Sequence, residues 1–168
     1  MSPLRRATAG PPTGSATAAD VAVALGSNIG DRRAHLDYAV ARLGSLLTAV
    51  RVSSYFETAP VDVVGEQSAF LNAVLVGRCS FAPRALLGKL LAIELERGRE
   101  RPHRGAARTL DLDLVLHGGL VVDEPGLTIP HPRFRERRFV LEPLAEVAGE
   151  WQDPVTGLTV TELLKRLG

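Results

Sequence analysis

The chain has 168 residues, of which 45% are hydrophobic and 23% are charged, a balance typical of one globular domain rather than of a disordered or fibrous chain. The single cysteine, Cys79, excludes an internal disulfide and therefore a secreted disulfide scaffold. No apolar run approaches the ~20 residues that a membrane-spanning helix needs, and the N-terminus has no apolar signal-peptide stretch. We therefore expect a soluble, cytoplasmic protein.

Positive charge is concentrated in two short segments, although the net charge is only +1. Residues 97–108 hold five arginines and one glutamate, and residues 131–138 hold four arginines and one glutamate. The two segments carry +4 and +3, which leaves −6 for the rest of the chain. Arginine focused on an otherwise acidic protein favours a small polyanionic ligand over a nucleic-acid surface.

The first half of the chain predicts a tail, a strand, a helix and a second strand. Residues 1–20 are rich in Pro, Gly, Ala, Ser and Thr and are expected to form a disordered tail, which leaves residues 21–168 as a single domain. An apolar strand is predicted at 21–25, followed by a tight turn at Gly26-Ser27-Asn28-Ile29-Gly30. Asp31 is suited to cap a helix that runs to about residue 47, and residues 50–56 alternate like a strand.

The order of elements in the second half indicates the fold class. The pattern predicts an irregular loop at 58–69, a strand at 70–76, a helix at 83–97 and a strand at 109–116. The resulting βαββαβ order is typical of an α+β, ferredoxin-like antiparallel sheet with helices on one face. A short hairpin near 120–123 and helices at 142–147 and 160–167 are expected to form a C-terminal helical extension.

The strand at 109–116 carries the most informative motif, an alternation of leucine and aspartate. Because side chains alternate along a strand, Leu110, Leu112, Leu114 and Leu116 are expected on one face, and Asp111 and Asp113 side by side on the other. Two ionised carboxylates this close repel each other unless a cation lies between them, and Mg²⁺ with phosphate oxygens is the natural candidate. The alternative is an edge strand that carries ordinary surface acids.

Two further groups of residues also suggest a ligand site, but their patterns are less specific than the acidic motif. Phe70 and Asn72 face the same way in a strand beside the long loop, which suits a flat heteroaromatic ligand but also fits a core phenylalanine beside a satisfied amide. His131 is the first residue of the second basic segment and could donate to a phosphate or simply cap a turn.

Taken together, these segments resemble one known family, the 6-hydroxymethyl-7,8-dihydropterin pyrophosphokinases of folate biosynthesis. The similar segments span residues 21–148 and are Ala24-Leu25-Gly26-Ser27-Asn28, Glu57-Thr58-Ala59-Pro60, Phe70-Leu71-Asn72-Ala73-Val74, Glu94 with Gly98-Arg99-Glu100-Arg101, Arg108-Thr109-Leu110-Asp111-Leu112-Asp113, and Ile129-Pro130-His131 with Arg137 and Phe139. The resemblance implies an enzyme that transfers pyrophosphate from ATP to the pterin hydroxymethyl group and releases AMP. It also implies small-molecule substrates only, with no nucleic acid and no membrane, and we expect a monomer.

The resemblance assigns a role to each matched side chain. Asp111 and Asp113 would hold two Mg²⁺ ions, and catalysis would rest on these two residues with Arg99 and Arg108. ATP would be bound by Glu94 at its ribose, Thr128 near its adenine, and Arg99, Arg101, Arg108, His131 and Arg137 at its phosphates. The pterin would lie between Phe70 and Phe139, with its edge bonded to Asn72 and to groups near Thr58 and Val61.

One departure from the family pattern lies just before Arg108. The family usually has an aromatic residue, Gly and Pro there, whereas this chain has Gly105-Ala106-Ala107, which predicts weaker nucleotide binding or slower closure. Residues 61–69 and 99–107 are the expected mobile segments. Two other functions stay open at this point: a non-enzymatic module that binds nucleotide or RNA, and a different Mg²⁺-dependent phosphotransfer enzyme.

Overall fold

The computed structural model describes residues 18–59, 69–98 and 109–168, and its centre is one antiparallel sheet. The strands are β1 (Ala19–Ser27), β2 (Thr48–Val52), β3 (Phe56–Thr58), β4 (Phe70–Cys79) and β5 (Asp111–His117). Their order across the sheet is β2-β4-β1-β5, and β3 pairs with the same side of β4 as β2 does. The predicted α+β class, an antiparallel sheet with helices packed on it, is confirmed.

In the described residues the remaining elements are four helices, a short hairpin and one 3-10 turn. The helices are α1 (Arg32–Gly44), α2 (Pro83–Glu96), α3 (Arg138–Ala148) and α4 (Val160–Leu167). The hairpin consists of β6 (Val122–Glu124) and β7 (Leu127–Ile129), and the 3-10 turn is Phe134–Glu136. The Asp31 carboxylate accepts a bond from the amide of Ala34 at 3.1 Å, so the predicted cap of α1 is confirmed.

Helices cover both faces of the sheet, which corrects the expectation of helices on one face. Val23, Leu75 and Leu112 belong to a core with residues of α1 and α2, such as Leu36 and Leu90. On the opposite face, Val74, Val76 and Val115 pack with Leu141 and Leu144 of α3 and with Leu163 of α4. The strand residues alternate between two apolar cores, so the C-terminal helices are a second covering layer rather than a peripheral extension.

A bulge in β5 corrects the expected alternation. Val23 pairs with Leu114 whereas its neighbour Ala22 pairs with Leu116, so Val115 is an extra residue in β5. Leu116 therefore faces the same side as Val115, not the side of Leu114. The predicted side-by-side arrangement of Asp111 and Asp113 lies before the bulge and is unaffected by it.

Several predicted element bounds were wrong for identifiable reasons. The single strand expected at 50–56 is broken into β2 and β3, because Glu146 of α3 bonds both the amide and the hydroxyl of Ser54. The helix α3 begins at Arg138 rather than at 142, and it contains Pro143, which cannot donate a helical bond. The hairpin lies at 122–129 rather than 120–123, and Ala19 and Asp20 belong to β1 rather than to a tail.

In the part of the chain that the structure describes, no helix has both the length and the apolar character required to cross a membrane.

Candidate active site

Three adjacent strands bring polar residues together at one end of the sheet. Asn72 of β4 pairs with Gly26 of β1, and Gly26 pairs in turn with Asp111 of β5. Directly paired residues share a face, and strands lie about 4.8 Å apart, so the Asn72 and Asp111 backbones are separated by about 10 Å. We call the group Phe70, Asn72, Gly26, Asp111 and Asp113 the open end of the sheet face.

Gly26 leaves space in the middle of this group. A Cβ at position 26 would lie 3.1 Å from Oδ1 of Asn72 and 3.8 Å from Cδ1 of Phe70. Gly26 belongs to β1, so the tight turn expected at this position was wrong: the sheet continues through Ser27. The missing side chain therefore opens a gap between the amide and aromatic groups on β4 and the carboxylates on β5.

Asn72 is held in one orientation by its neighbour on β3. The side chain is 6% exposed, and its Nδ2 donates to Oγ1 of Thr58 at 2.6 Å. Thr58 pairs with Phe70, so these three side chains form one patch at the end of the β3–β4 ladder. The structure thus brings together the side chains of Phe70 and Asn72, which were predicted at a flat ligand, and Thr58, near which main-chain contacts were predicted.

Asp111 and Asp113 are half-buried on β5, the edge strand of the sheet. Among the described residues no cluster of three or more His, Cys, Asp or Glu side chains could hold a metal ion. A pair of carboxylates still fits Mg²⁺, because this ion is usually bound by one or two carboxylates while water and phosphate oxygens complete its coordination. The donor set is therefore suited to a metal that arrives with a phosphate-bearing ligand.

A cavity of about 260 Å³ adjoins the acidic pair. Its wall contains Asp113, Thr128 and His131, three of the predicted nucleotide and metal residues. The other lining residues are Leu87, Leu112, Leu114, Gly126, Leu127 and Pro132. The leucines give the cavity an apolar floor suited to a flat base, and the sequence did not single them out because they read as ordinary core residues.

His131 is fixed in its neutral form. Burial of the ring lowers the pKa of His131 to about 4, the guanidinium of Arg137 acts in the same direction, and Asp111 opposes them. The amide of Arg133 donates to Nδ1 at 3.1 Å, so Nε2 carries the proton of the neutral ring. His131 is also tied to β5, because its amide donates to the carbonyl of Val115 at 3.0 Å. The ring therefore offers one N–H donor near neutral pH.

Arg137 and Phe139 flank the start of α3. The Arg137 guanidinium lies over the Phe139 ring, 5.4 Å from its centre, and Phe139 packs against the core beneath α3 and α4. Phe139 is thus on the same side of the sheet as Phe70, as the predicted sandwich requires.

Glu94 has a second role that the sequence did not reveal. Its side chain lies in α2 with a residue exposure of 3%, and its Oε2 accepts a bond from the amide of Leu112 at 2.6 Å. This bond fixes α2 to β5 between the two aspartates. Glu94 therefore supports the acidic strand, and the predicted contact with a ribose remains a prediction.

Other predicted residues lie outside the described residues. They are Val61, Arg99, Arg101 and Arg108, together with the Gly105-Ala106-Ala107 segment and most of the two segments expected to be mobile.

Comparisons with known proteins support one family. Residues 22–149 match the model of the family described as 7,8-dihydro-6-hydroxymethylpterin-pyrophosphokinase (HPPK). A Synechocystis protein named 2-amino-4-hydroxy-6-hydroxymethyldihydropteridine pyrophosphokinase is 39% identical over 147 residues, which are 86% of this chain and 74% of that one. A Bacillus subtilis protein of the same name is 43% identical over 136 residues, which are 80% of this chain and 81% of that one.

The solved structures agree on the fold. The Plasmodium falciparum HPPK-DHPS crystal structure superposes with a TM-score of 0.73 at 13% identity over 92% of this chain, and this chain spans 45% of that longer one. The family match covers the strands, the acidic motif and the start of α3. The resemblance found in the sequence is confirmed: the chain belongs to the 7,8-dihydro-6-hydroxymethylpterin-pyrophosphokinase family.

Proposed function

We propose that this chain transfers pyrophosphate from ATP to the hydroxymethyl oxygen of 6-hydroxymethyl-7,8-dihydropterin and releases AMP, with the open end of the sheet face as its active site. The row Asn72, Gly26 and Asp111 carries the proposal, because it sets a group suited to a heteroaromatic edge about 10 Å from a carboxylate pair suited to a metal. The family membership and the names of the relatives support the same reaction.

The pterin occupies the gap over Gly26. Phe70 and Phe139 stack on its two faces, and Asn72 bonds its edge, with main-chain groups near Thr58 and Val61 completing the contacts. An amide side chain both donates and accepts, as the edge of a pterin ring requires. Thr58 presets the Asn72 side chain, so little ordering is needed when the ligand binds.

ATP extends from the cavity, which holds its base, to the acidic pair, which lies near its phosphates. Thr128 contacts the adenine region, Glu94 the ribose, and Nε2–H of neutral His131 donates to a phosphate oxygen. Arg137 neutralises phosphate charge together with three arginines of the first basic segment, which are Arg99, Arg101 and Arg108. The apolar floor of the cavity excludes water from one side of the base.

Asp111 and Asp113 hold Mg²⁺, for which we propose two ions. The metal would supply positive charge that offsets the negative charge of the phosphates and of the departing AMP. The pterin hydroxyl oxygen bonds to the β-phosphorus and its proton passes to water, while the bond from that phosphorus to the bridging oxygen of AMP breaks and AMP leaves with the bonding electron pair. The chain contributes mainly positioning and charge, with Arg99, Arg108 and the two aspartates as the proposed catalytic residues, and no general base is assigned.

The setting of the enzyme is proposed from the same features. The focused arginine supports small polyanionic substrates, and the single buried cysteine supports a cytoplasmic location. We also propose that the chain acts as a monomer. An RNA-binding module is disfavoured, because the open end presents two carboxylates that would repel a phosphate backbone.

AMP release from ATP and Mg²⁺, measured with and without the pterin, tests the proposal on the wild type and on Asp111→Ala. Pterin-dependent AMP formation that is lost in Asp111→Ala is the expected result. Asp20→Asn is the matched control, since Asp20 lies at the opposite end of β1, and it should retain full activity. AMP formation that does not depend on the pterin, or that survives in Asp111→Ala, would contradict the assignment.

A further inference from the structure

Arg32, at the start of α1, binds both sides of the ladder that carries the proposed pterin patch. Its Nη2 lies 2.7 Å from Oε2 of Glu57 on β3, and its Nη1 donates to the carbonyl oxygen of Ala69 at 2.7 Å. Ala69 immediately precedes Phe70, the first residue of β4. The Arg32 guanidinium thus joins β3 to the start of β4, at the point where the ladder between these two strands ends.

This contact is made from the face opposite to the open end. Glu57 pairs with Leu71, which packs on the core beneath α1 and α2, whereas the adjacent pair Thr58 and Phe70 faces the open end. Arg32 therefore cannot touch a ligand bound over Gly26. Any effect of Arg32 on that ligand must pass through β3 and β4.

The ladder needs such support because β3 is short. It has three residues, and its last pair is Thr58 with Phe70. Short edge strands have few hydrogen bonds and open locally at low cost. Opening of this last pair would separate Thr58 from Asn72 and move the Phe70 ring, which are the contacts proposed for the pterin.

We propose that Arg32 is a positioning residue for the pterin, one that clamps the last pair of the β3–β4 ladder so that Thr58, Phe70 and Asn72 keep their mutual geometry. The inference rests on the proposed function for the identity of the ligand. The side chain of Arg32 is 28% exposed, and it makes one charge-assisted bond to a carboxylate and one to a main-chain carbonyl, a geometry that the rigid guanidinium fork favours. A lysine can satisfy only one of the two partners well.

Steady-state kinetics of four variants test this role. Arg32→Gln should raise the KM for the pterin about tenfold while the KM for ATP changes less than about twofold, because small displacements of binding groups weaken only the ligand that they contact. Arg32→Lys should restore part of the loss, and Glu57→Gln should show a smaller rise. Arg78→Gln is the matched control, since Arg78 at the far end of β4 also binds one carboxylate and one main-chain carbonyl, those of Asp20 and Ala18.

Amide hydrogen exchange supplies a second readout that does not depend on activity. In Arg32→Gln the amides of residues 56–58 and 70–72 should exchange faster, and those of β1 and β5 should not. An unchanged pterin KM in Arg32→Gln, or an equal rise in Arg78→Gln, would overturn the inference. If Arg32→Gln does not fold, unchanged exchange and KM in Arg32→Lys and Glu57→Gln would overturn it. A wild type without pterin-dependent AMP release would instead overturn the proposed function.

Discussion

The two ends of one sheet face differ in what covers them. At one end Ala22, Val76 and Val115 are buried beneath α3 and α4, and we call these three residues the covered end. At the other end the same strands carry Asn72, Gly26 and Asp111, outside the apolar cluster of those helices. The same three strands run through both ends, and only the bulge at Val115 interrupts their pairing. The side chains that the strands carry therefore distinguish a packing surface from a candidate binding surface.

This contrast predicts that damage at the two ends has different consequences. Substitutions of Asp111, Asp113 or Gly26 at the open end should reduce turnover or substrate binding with little loss of stability, because the two aspartates are only partly buried and Gly26 has no side chain to lose. Substitutions under α3 and α4 should reduce the free energy of unfolding and leave the substrate constants unchanged.

The largest expected effect is the fall in turnover when Asp113 is substituted. Asp113→Asn removes one of two proposed Mg²⁺ ligands and should lower kcat at least about 1,000-fold, with a higher Mg²⁺ requirement, while the melting temperature stays close to that of the wild type. Magnesium titrations of AMP release measure the first two quantities. Turnover within tenfold of the wild type would show that Asp113 is an ordinary surface acid.

Removing a helix side chain that packs over the covered end should affect stability alone. Leu144 is fully buried in α3, and Leu144→Ala should lower the free energy of unfolding by about 3 kcal/mol because it leaves a cavity. Urea unfolding measures this loss, and KM values for both substrates should remain within about twofold of the wild type. A changed pterin KM would mean that the two ends are coupled rather than separate.

The ion pair between Arg135 and the buried Asp153 should make the free energy of unfolding depend on pH in the acid range. Burial alone would raise the pKa of Asp153, but bonds from Arg135, the amide of Val155 and Thr156 outweigh it and lower the pKa to about 2. Because the folded pKa lies below the unfolded value of 3.8, the stabilisation is present above about pH 4 and is lost as the pH falls towards 2.

Asp153→Asn should therefore be less stable than the wild type by about 2 kcal/mol at pH 7, and the difference should narrow between pH 4 and pH 2. Urea unfolding at a series of pH values measures the difference. A constant gap across that range would place the effect of Asp153 in packing rather than in charge.

The smallest expected effect is the rise in the pterin KM when Gly26 is substituted. A methyl group at this position would lie 3.1 Å from Oδ1 of Asn72, so Gly26→Ala should raise the pterin KM about three- to tenfold with little change in stability. Gly119→Ala is the matched control, since nothing lies within 4 Å of a Cβ there. An unchanged pterin KM in Gly26→Ala would move the ligand away from the gap.

The features that the sequence predicted correctly depend on local periodicity. The alternation of Asp111 and Asp113 with leucine places both carboxylates on one face, and Asp31 caps α1 as its position indicates. Both statements need only the geometry of a single strand or a single helix start.

The features that could not be predicted from the sequence depend on contacts between distant segments. Three features depend on elements far apart in the chain. They are the bulge at Val115, the pairing of Gly26 with Asn72 and Asp111, and the bond that the Leu112 amide donates to Glu94. Pro143 obscured the true start of α3, because proline is typical of the first turn of a helix rather than of its interior. The separation of an open end from a covered end could therefore be recognised only once α3 was placed on the sheet.

The most direct test of this separation is an NMR map of the amide shifts caused by adding the pterin together with Mg²⁺ and a non-hydrolysable ATP analogue. The account predicts large shifts at residues 26, 58, 70–72 and 111–113, and small ones at Ala22, Val76 and Leu116. Shifts centred on the covered end, or spread evenly over both ends, would contradict it.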